Sequence, residues 1–216
     1  MPVPDAPDDD LLALQAAGTD PKAALADALD RHRARLLRMV DLRMHPALRA
    51  RLGASDVLQD AWLEISDRLG DYLADPRMPF FLWIRFITAQ RLMMLHRRHI
   101  GAQKRDVRKQ VSLHKGAFPS ATSVALVDRL IASGTTPTQA AVQRELRLQL
   151  EEALDRMNTA DREVLVLRHF EELSNVEAAA ELGIENAAAS KRYVRALRRL
   201  REILEECGLP PGASTP

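Results

Sequence analysis

LSNVEAAAELGIENAAASKRYVRALRRLR, residues 173–201, is the stretch that decides the fold. Ser174 can open a short helix containing Val176, Ala179, Ala180 and Leu182, after which Gly183 supplies a positive-φ turn and Ile184 an apolar corner. Small Ala179 lets two helices approach closely. A second helix begins at Glu185 or Asn186, with Ala189, Tyr193, Ala196 and Leu200 as its core face. Its other faces carry Lys191, Arg192, Arg195, Arg198, Arg199 and Arg201, and no acidic residue lies between Ala187 and Arg201. A solvated basic helix on a small bundle would explain the charge alone. Turn glycine, apolar corner, small residue and basic second helix together point to a DNA-binding helix-turn-helix. In that motif the second helix enters the major groove N-terminus first, so Ala187, Ala188, Ser190 and Lys191 would lie nearest the base edges. Arg192 and Arg195 share that binding face, and Arg198, Arg199 and Arg201 suit phosphates, a contribution that falls with salt.

Working outward, apolar residues recur at three- and four-residue spacing while β-branched and aromatic runs are nearly absent, which predicts an all-α chain. With 216 residues and 46% hydrophobic content it can build two small cores. The formal net charge of +1 conceals two basic clusters, Arg85–Lys109 and Lys191–Arg201. The single cysteine, Cys207, excludes an internal disulfide and a Cys-rich zinc site, which suits a reducing cytosol. Met1–Asp10 holds four aspartates and no Lys or Arg, the reverse of a secretory start, and Met78–Leu95 is too short and too charged to span a bilayer. A cytoplasmic protein is expected.

Residues 1–19 read as an acidic N-terminal tail. Asp20 and Pro21 suggest a helix start, followed by a buried face of Leu25, Leu29, Leu36 and Val40 that ends at Pro46. Ser55 is the expected cap of a second helix with Leu58, Ala61, Trp62, Ile65 and Leu69 inside and Asp56, Gln59, Asp60, Glu64 and Asp67 facing water. A third helix, Pro79 to Leu95, is apolar nearly all round and therefore central. It would break near Gly101, before a short basic helix at Gln103–Gln110. These elements make a domain over 20–111. Residues 112–137 are rich in Ser, Thr, Gly and Pro and read as a linker. Counted from Val111, roughly 27 residues could span up to ~90 Å when extended. A second domain, 138–207, holds an amphipathic helix with Val142, Leu146, Leu150 and Leu154, a further helix started by Asn158 and Asp161, and the helix-turn-helix. Residues 208–216 form a tail.

Phe80, Phe81, Trp83 and Phe86 alternate with Arg85, Arg91, Arg97, Arg98, Lys104 and Arg105, a mixture that suits single-stranded nucleic acid. The aromatics read mainly as core, and the loop after Leu95 as the binding segment. Together, Asp56-Val57-Leu58-Gln59-Asp60-Ala61-Trp62, Phe81-Leu82-Trp83-Ile84 through Leu95-His96-Arg97-Arg98, and Leu173 to Leu200 resemble regions 2.2, 2.3–2.4 and 4.2 of the extracytoplasmic-function (ECF) sigma factors, the minimal two-domain type of the sigma-70 family. The resemblance runs from about Pro21 to Glu206.

It implies a bacterial transcription initiation factor that binds core RNA polymerase, recognises −35 and −10 promoter elements and promotes melting. Asp56, Gln59 and Asp60 would meet the β′ clamp helices of the polymerase, whose β flap is a further expected contact. Arg91, His96, Arg97, Arg98, His99, Gln103, Lys104 and Arg105 would serve the −10 element, the loop His96–Gln103 capturing a flipped base. Ala187, Ala188, Ser190, Lys191, Arg192, Arg195, Arg198 and Arg199 would serve the −35 duplex. Many relatives are held by an anti-sigma factor, so one is a possible partner. On this reading Asp60→Ala weakens core binding and spares DNA contacts.

His96 and His99 have a metal-compatible spacing, but Arg97 and Arg98 beside them would repel a cation, so no metal and no cofactor is expected. No phosphate loop, nucleophile elbow or carboxylate pair indicates an enzyme. The rival reading is an autonomous helix-turn-helix regulator on palindromic half-sites, which would not need the acidic face of the second helix. A polymerase-binding inhibitor would keep that face but not the basic helix.

Overall fold

The computed structural model describes residues 8–18, 21–100, 148–149 and 151–206, apart from the side chains of residues 99 and 100. The chain divides into two compact units between Pro119 and Ser120. All regular structure among the described residues is helical, as the periodicity predicts.

Unit 1 contains α1 (Asp9–Ala16), α2 (Lys22–Arg43), α3 (Pro46–Arg49), α4 (Ala54–Ala74) and α5 (Phe80–Ile100). The three long helices pack on one another. Leu25, Leu29, Leu36 and Val40 of α2 are buried, as are Leu58, Ala61, Ile65 and Leu69 of α4, so both apolar stripes lie where their spacing places them. Trp62 is only half-buried, and Val57 and Tyr72 take the inward positions instead. Helix α5 is the centre: Phe80 to Ile84, Ile87, Ala89, Leu92 and Leu95 are all buried. Each large side chain so enclosed contributes about 1.5–3 kcal/mol. Tyr72 stacks on Trp83 with ring centroids 4.3 Å apart and donates its hydroxyl to the Met78 carbonyl at 2.9 Å, which fixes the α4–α5 turn. Burial, together with the charges of Asp8 and Asp10, pushes the Tyr72 phenol well above its ordinary range.

Four expectations are corrected in unit 1. The acidic segment 1–19 is not simply a tail, because Asp9–Ala16 is a helix with Leu14 sealed into the core. Asp8 caps it by accepting from the Leu11 N–H at 3.1 Å and also accepts from the Phe80 N–H at 2.5 Å. Asp10 accepts from Arg31 at 2.5 Å and lies 2.6 Å from His32. Burial alone would raise the Asp10 pKa, but these hydrogen bonds and charges outweigh it and hold the carboxylate below its ordinary range. Pro21 stands at the N-cap of α2 rather than inside it, and the predicted cap Asp20 lies outside the described residues. Helix α4 starts at Ala54 rather than after Ser55. Its first turn is closed by Asp56, whose carboxylate accepts from the Gly53 N–H at 2.9 Å. Finally, α5 runs on to Ile100, so His96–Ile100 is helix and not loop.

Unit 2 begins, among its described residues, with 148–149 and the helical residues 151–156 (α6), where Ala153 and Leu154 are buried. Asn158 then caps α7 (Thr159–Leu165) by accepting from the Asp161 N–H at 2.8 Å, as its position predicts. The chain widens into a π-helical turn, Val166–Phe170, with the Glu171 N–H reaching the Val166 carbonyl at 2.9 Å. Glu172 takes a positive φ of 57° as the chain turns into α8 (Asn175–Leu182) and α9 (Asn186–Glu206). Val142, Leu146, Leu150, the linker 112–137 and the tail 208–216 lie outside the described residues.

Candidate DNA and polymerase interfaces

Local chemistry builds the helix-turn-helix as the sequence indicates. Ser174 accepts from the Glu177 N–H at 3.1 Å while Glu177 accepts from the Ser174 N–H at 2.7 Å, a reciprocal capping box that starts α8. Gly183 ends it at φ 64°, with the Ile184 N–H on the Ala179 carbonyl at 3.0 Å and the Gly183 N–H on Ala180 at 3.2 Å. That pair is a Schellman stop, and it requires the left-handed residue that glycine provides. Ala178 and Ala179 are buried where α8 packs on α9. On α9 the buried positions are Ala189, Ala196 and Ile203, seven residues apart, whereas Tyr193 and Leu200 are half-buried at the margin.

Tyr193 is held by unit 2 itself. Its hydroxyl lies 2.7 Å from His169 Nε2, and Arg168 sits over its ring at 5.5 Å. Burial and the neighbouring Arg168 charge lower the His169 pKa, so the ring is neutral in the neutral range.

The cations of α9 divide into two sets. Arg195 donates to Asp161 at 3.1 Å, and Asp161 is buried in the first turn of α7 with Asn158 as its other side-chain partner among the described residues. Arg199 pairs with Glu202 and Arg201 with Glu205 along the helix, exposed contacts that hold little energy. Lys191, Arg192 and Arg198 have no ion pair among the described residues. Lys191 is exposed beside the exposed Ala187, Ala188 and Ser190, Arg198 is exposed about two turns further along α9, and Arg192 is half-buried.

In unit 1 one of the three predicted polymerase residues, Asp60, meets one predicted DNA residue, Arg91. Asp56 and Gln59 are exposed on α4, and Asp60 accepts from Arg91 of α5 at 2.6 Å. Leu63, 67% exposed, lies one turn beyond Gln59 on the same face, an apolar position that a search for charge overlooks. Arg97 and Arg98 are exposed. Arg85, counted among the strand-holding cations, is completely buried and cannot reach a strand.

His96 is half-buried and accepts at Nε2 from the His45 N–H, 3.2 Å away, while His45 Nδ1 accepts from the Ala47 N–H at 3.1 Å and so caps α3. Burial and nearby His45 lower the His96 pKa, in keeping with a ring whose lone pair is already in use. This makes His96 a structural tie between α5 and the α2–α3 junction. The side chain of His99, and all of Gln103, Lys104 and Arg105, lie outside the described residues. No cluster of three or more metal-ligating side chains occurs among the described residues, and none of their helices is long and apolar enough to cross a membrane.

Residues 147–200 match the family described as sigma-70, region 4, a span that includes α8 and most of α9. The chain is 29% identical over 199 residues to the ECF RNA polymerase sigma factor SigD of Mycobacterium tuberculosis, covering 92% of this chain and 85% of that protein. It is likewise 29% identical over 155 residues to the RNA polymerase sigma factor CnrH of Cupriavidus metallidurans, covering 69% and 72%. In fold it is similar to CnrH in the solved complex with the cytosolic domain of CnrY. The TM-score is 0.51 at 23% identity, over 93% of this chain and 99% of that one.

Proposed function

We propose that this chain is an ECF sigma factor of the sigma-70 family and that its two units divide promoter recognition between them. As a transcription initiation factor it binds core RNA polymerase and promoter DNA. The observation that carries the assignment is the coincidence of the region 4 match with a capped, glycine-turned helix-turn-helix presenting Lys191 and Arg198 without an ion-pair partner among the described residues.

In this reading Ala187, Ala188, Ser190 and Lys191 face the bases of the −35 duplex, and Arg192 and Arg198 neutralise phosphate. Arg195 and Arg199 act first as internal ties and only then as phosphate contacts. Asp56, Gln59 and Asp60, with Leu63 between turns, form the docking face for the β′ clamp helices, while unit 2 meets the β flap. Arg91, Arg97 and Arg98 hold the −10 strand from α5, together with His99, Gln103, Lys104 and Arg105. The protein works in the cytoplasm, has no catalytic chemistry of its own and takes no cofactor. CnrH is solved in complex with the cytosolic domain of CnrY, and a protein partner, the anti-sigma factor expected from the sequence, occupies this chain in the same way.

The test is run-off transcription with the full chain and bacterial core polymerase on genomic fragments. Discrete start sites that require the chain are the expected result. A palindromic footprint by the chain alone, with no start site on any fragment, would return the protein to the autonomous regulators.

A further inference from the structure

Helix α3 brings cations to the same end of unit 1 as the last turn of α5. Leu48 of α3 is completely buried, the two helices pack together, and the His45 N–H donates to His96 Nε2 at 3.2 Å. Arg97 and Arg98 follow His96 directly, while Arg49 lies about one helical turn after His45, with Arg51 in the turn that follows. All four arginines are exposed, and none has an ion-pair partner among the described residues. The bond that Arg49 makes to the Asp41 main-chain carbonyl leaves its charge in place. Among the other exposed arginines of unit 1, Arg31, Arg68 and Arg77 are each paired with a carboxylate, and Arg33 is not. The sequence supplies no acid to offset the four: none lies between Leu42 and Ser55 or between Pro76 and Arg105.

We propose that Arg49 and Arg51 extend the nucleic-acid surface of unit 1 beyond α5 and hold the phosphate backbone of promoter DNA beside Arg97 and Arg98. Guanidinium groups donate through a planar fork that matches phosphate oxygens, and they are more weakly hydrated than an ammonium. An acidic protein surface would also attract four cations, but a protein interface is built around an apolar core. The other exposed positions of this segment are His45, Pro46, Ala47 and Ala50, and no large hydrophobic side chain is exposed on it. Phosphate is therefore the better match. This inference rests on the reading of unit 1 as the −10 module.

The full chain, assembled with core polymerase, is titrated with a forked −10 template and with the non-template strand alone over a range of salt. Arg51→Gln, the double variant Arg49→Gln with Arg51→Gln, and Arg33→Gln as a control for net charge are measured beside it. The double variant should bind the fork ~10-fold or more weakly at ~0.1 M salt, and its slope of log affinity against log salt should fall by about 1.4–1.8. Arg51→Gln alone should account for about half of that change in slope. If the phosphates belong to the duplex arm, only the fork is weakened; if they belong to the melted strand, both probes are. Thermal melts separate these effects from unfolding, and Arg51→Gln leaves the Arg49 bond to Asp41 untouched. Wild-type affinity and slope in the double variant, or an equal loss in Arg33→Gln, overturn the inference while the −10 reading stands. A fall in core affinity with DNA binding unchanged also overturns it and gives the patch to an acidic face of polymerase. A wild-type chain that binds neither probe overturns both.

Discussion

Arg91 donates from both Nε and Nη2 to a single carboxylate oxygen of Asp60, at 3.1 and 2.6 Å. One residue assigned to polymerase and one assigned to DNA therefore hold each other across α4 and α5. Separable roles do not follow from such a contact. Asp60→Ala should lower core affinity and also weaken binding of a forked −10 template, because Arg91 loses its fixed position. Asp60→Asn, which keeps an acceptor, should be milder. With Asp60 42% exposed the pair itself contributes about 1 kcal/mol or less. A double-mutant cycle of Asp60→Ala and Arg91→Ala on both binding reactions measures the coupling. Additivity in both would show that the two surfaces are independent.

Arg195 and Arg198 look alike in sequence and should behave differently. Removing Arg195 leaves the buried Asp161 carboxylate with one side-chain partner fewer, so Arg195→Ala should destabilise unit 2 by ~1–3 kcal/mol. Arg198→Ala should leave stability within ~0.5 kcal/mol. It should reduce the slope of log affinity against log salt by about 1. Denaturant unfolding and a salt titration of promoter binding check the two halves.

Gly183→Ala places a side chain at φ 64° and should cost unit 2 about 1–2 kcal/mol. The Schellman bonds from Gly183 and Ile184 orient α9, so promoter affinity should fall more than the stability loss alone explains. Hydrogen exchange across 175–206 would show the loosened turn. Unchanged exchange there would remove the glycine from the account.

His96 gives unit 1 a pH dependence with a definite sign. Its folded pKa lies below its ordinary value of 6.5, so the unfolded chain binds the proton more readily. The stability it contributes is fully present above pH 6.5 and is lost as pH falls through the depressed folded value. His96→Gln can still offer an oxygen to the His45 N–H and should flatten that decline. Melting curves between pH 5 and 7.5 on both chains test this; identical slopes would place the effect elsewhere.

Periodic features could be read from the chain. Leu25, Leu29, Leu36 and Val40 share a face because helix geometry dictates it, and Gly183 declares its turn because few residues adopt φ 64°. What sequence did not reveal is nonlocal. Asp8 and Asp10 look like a solvated acidic run until their partners appear at Phe80, Arg31 and His32. Gly101 suggested that α5 ends at Leu95, yet the helix continues to Ile100. His45 meets His96 there, a contact no local rule encodes. The same holds for Asn175 with Asn186, eleven positions apart, which meet only once α8 and α9 have folded together.

The Asp8 carboxylate serves two helix starts at once, α1 through Leu11 and α5 through Phe80. Engineering at the N-terminus is therefore not neutral. A fusion or trimming that removes Asp8 would strip a cap from the central helix, 72 positions away in sequence. Preparations that differ only in their first ten residues should differ in how firmly α5 is seated.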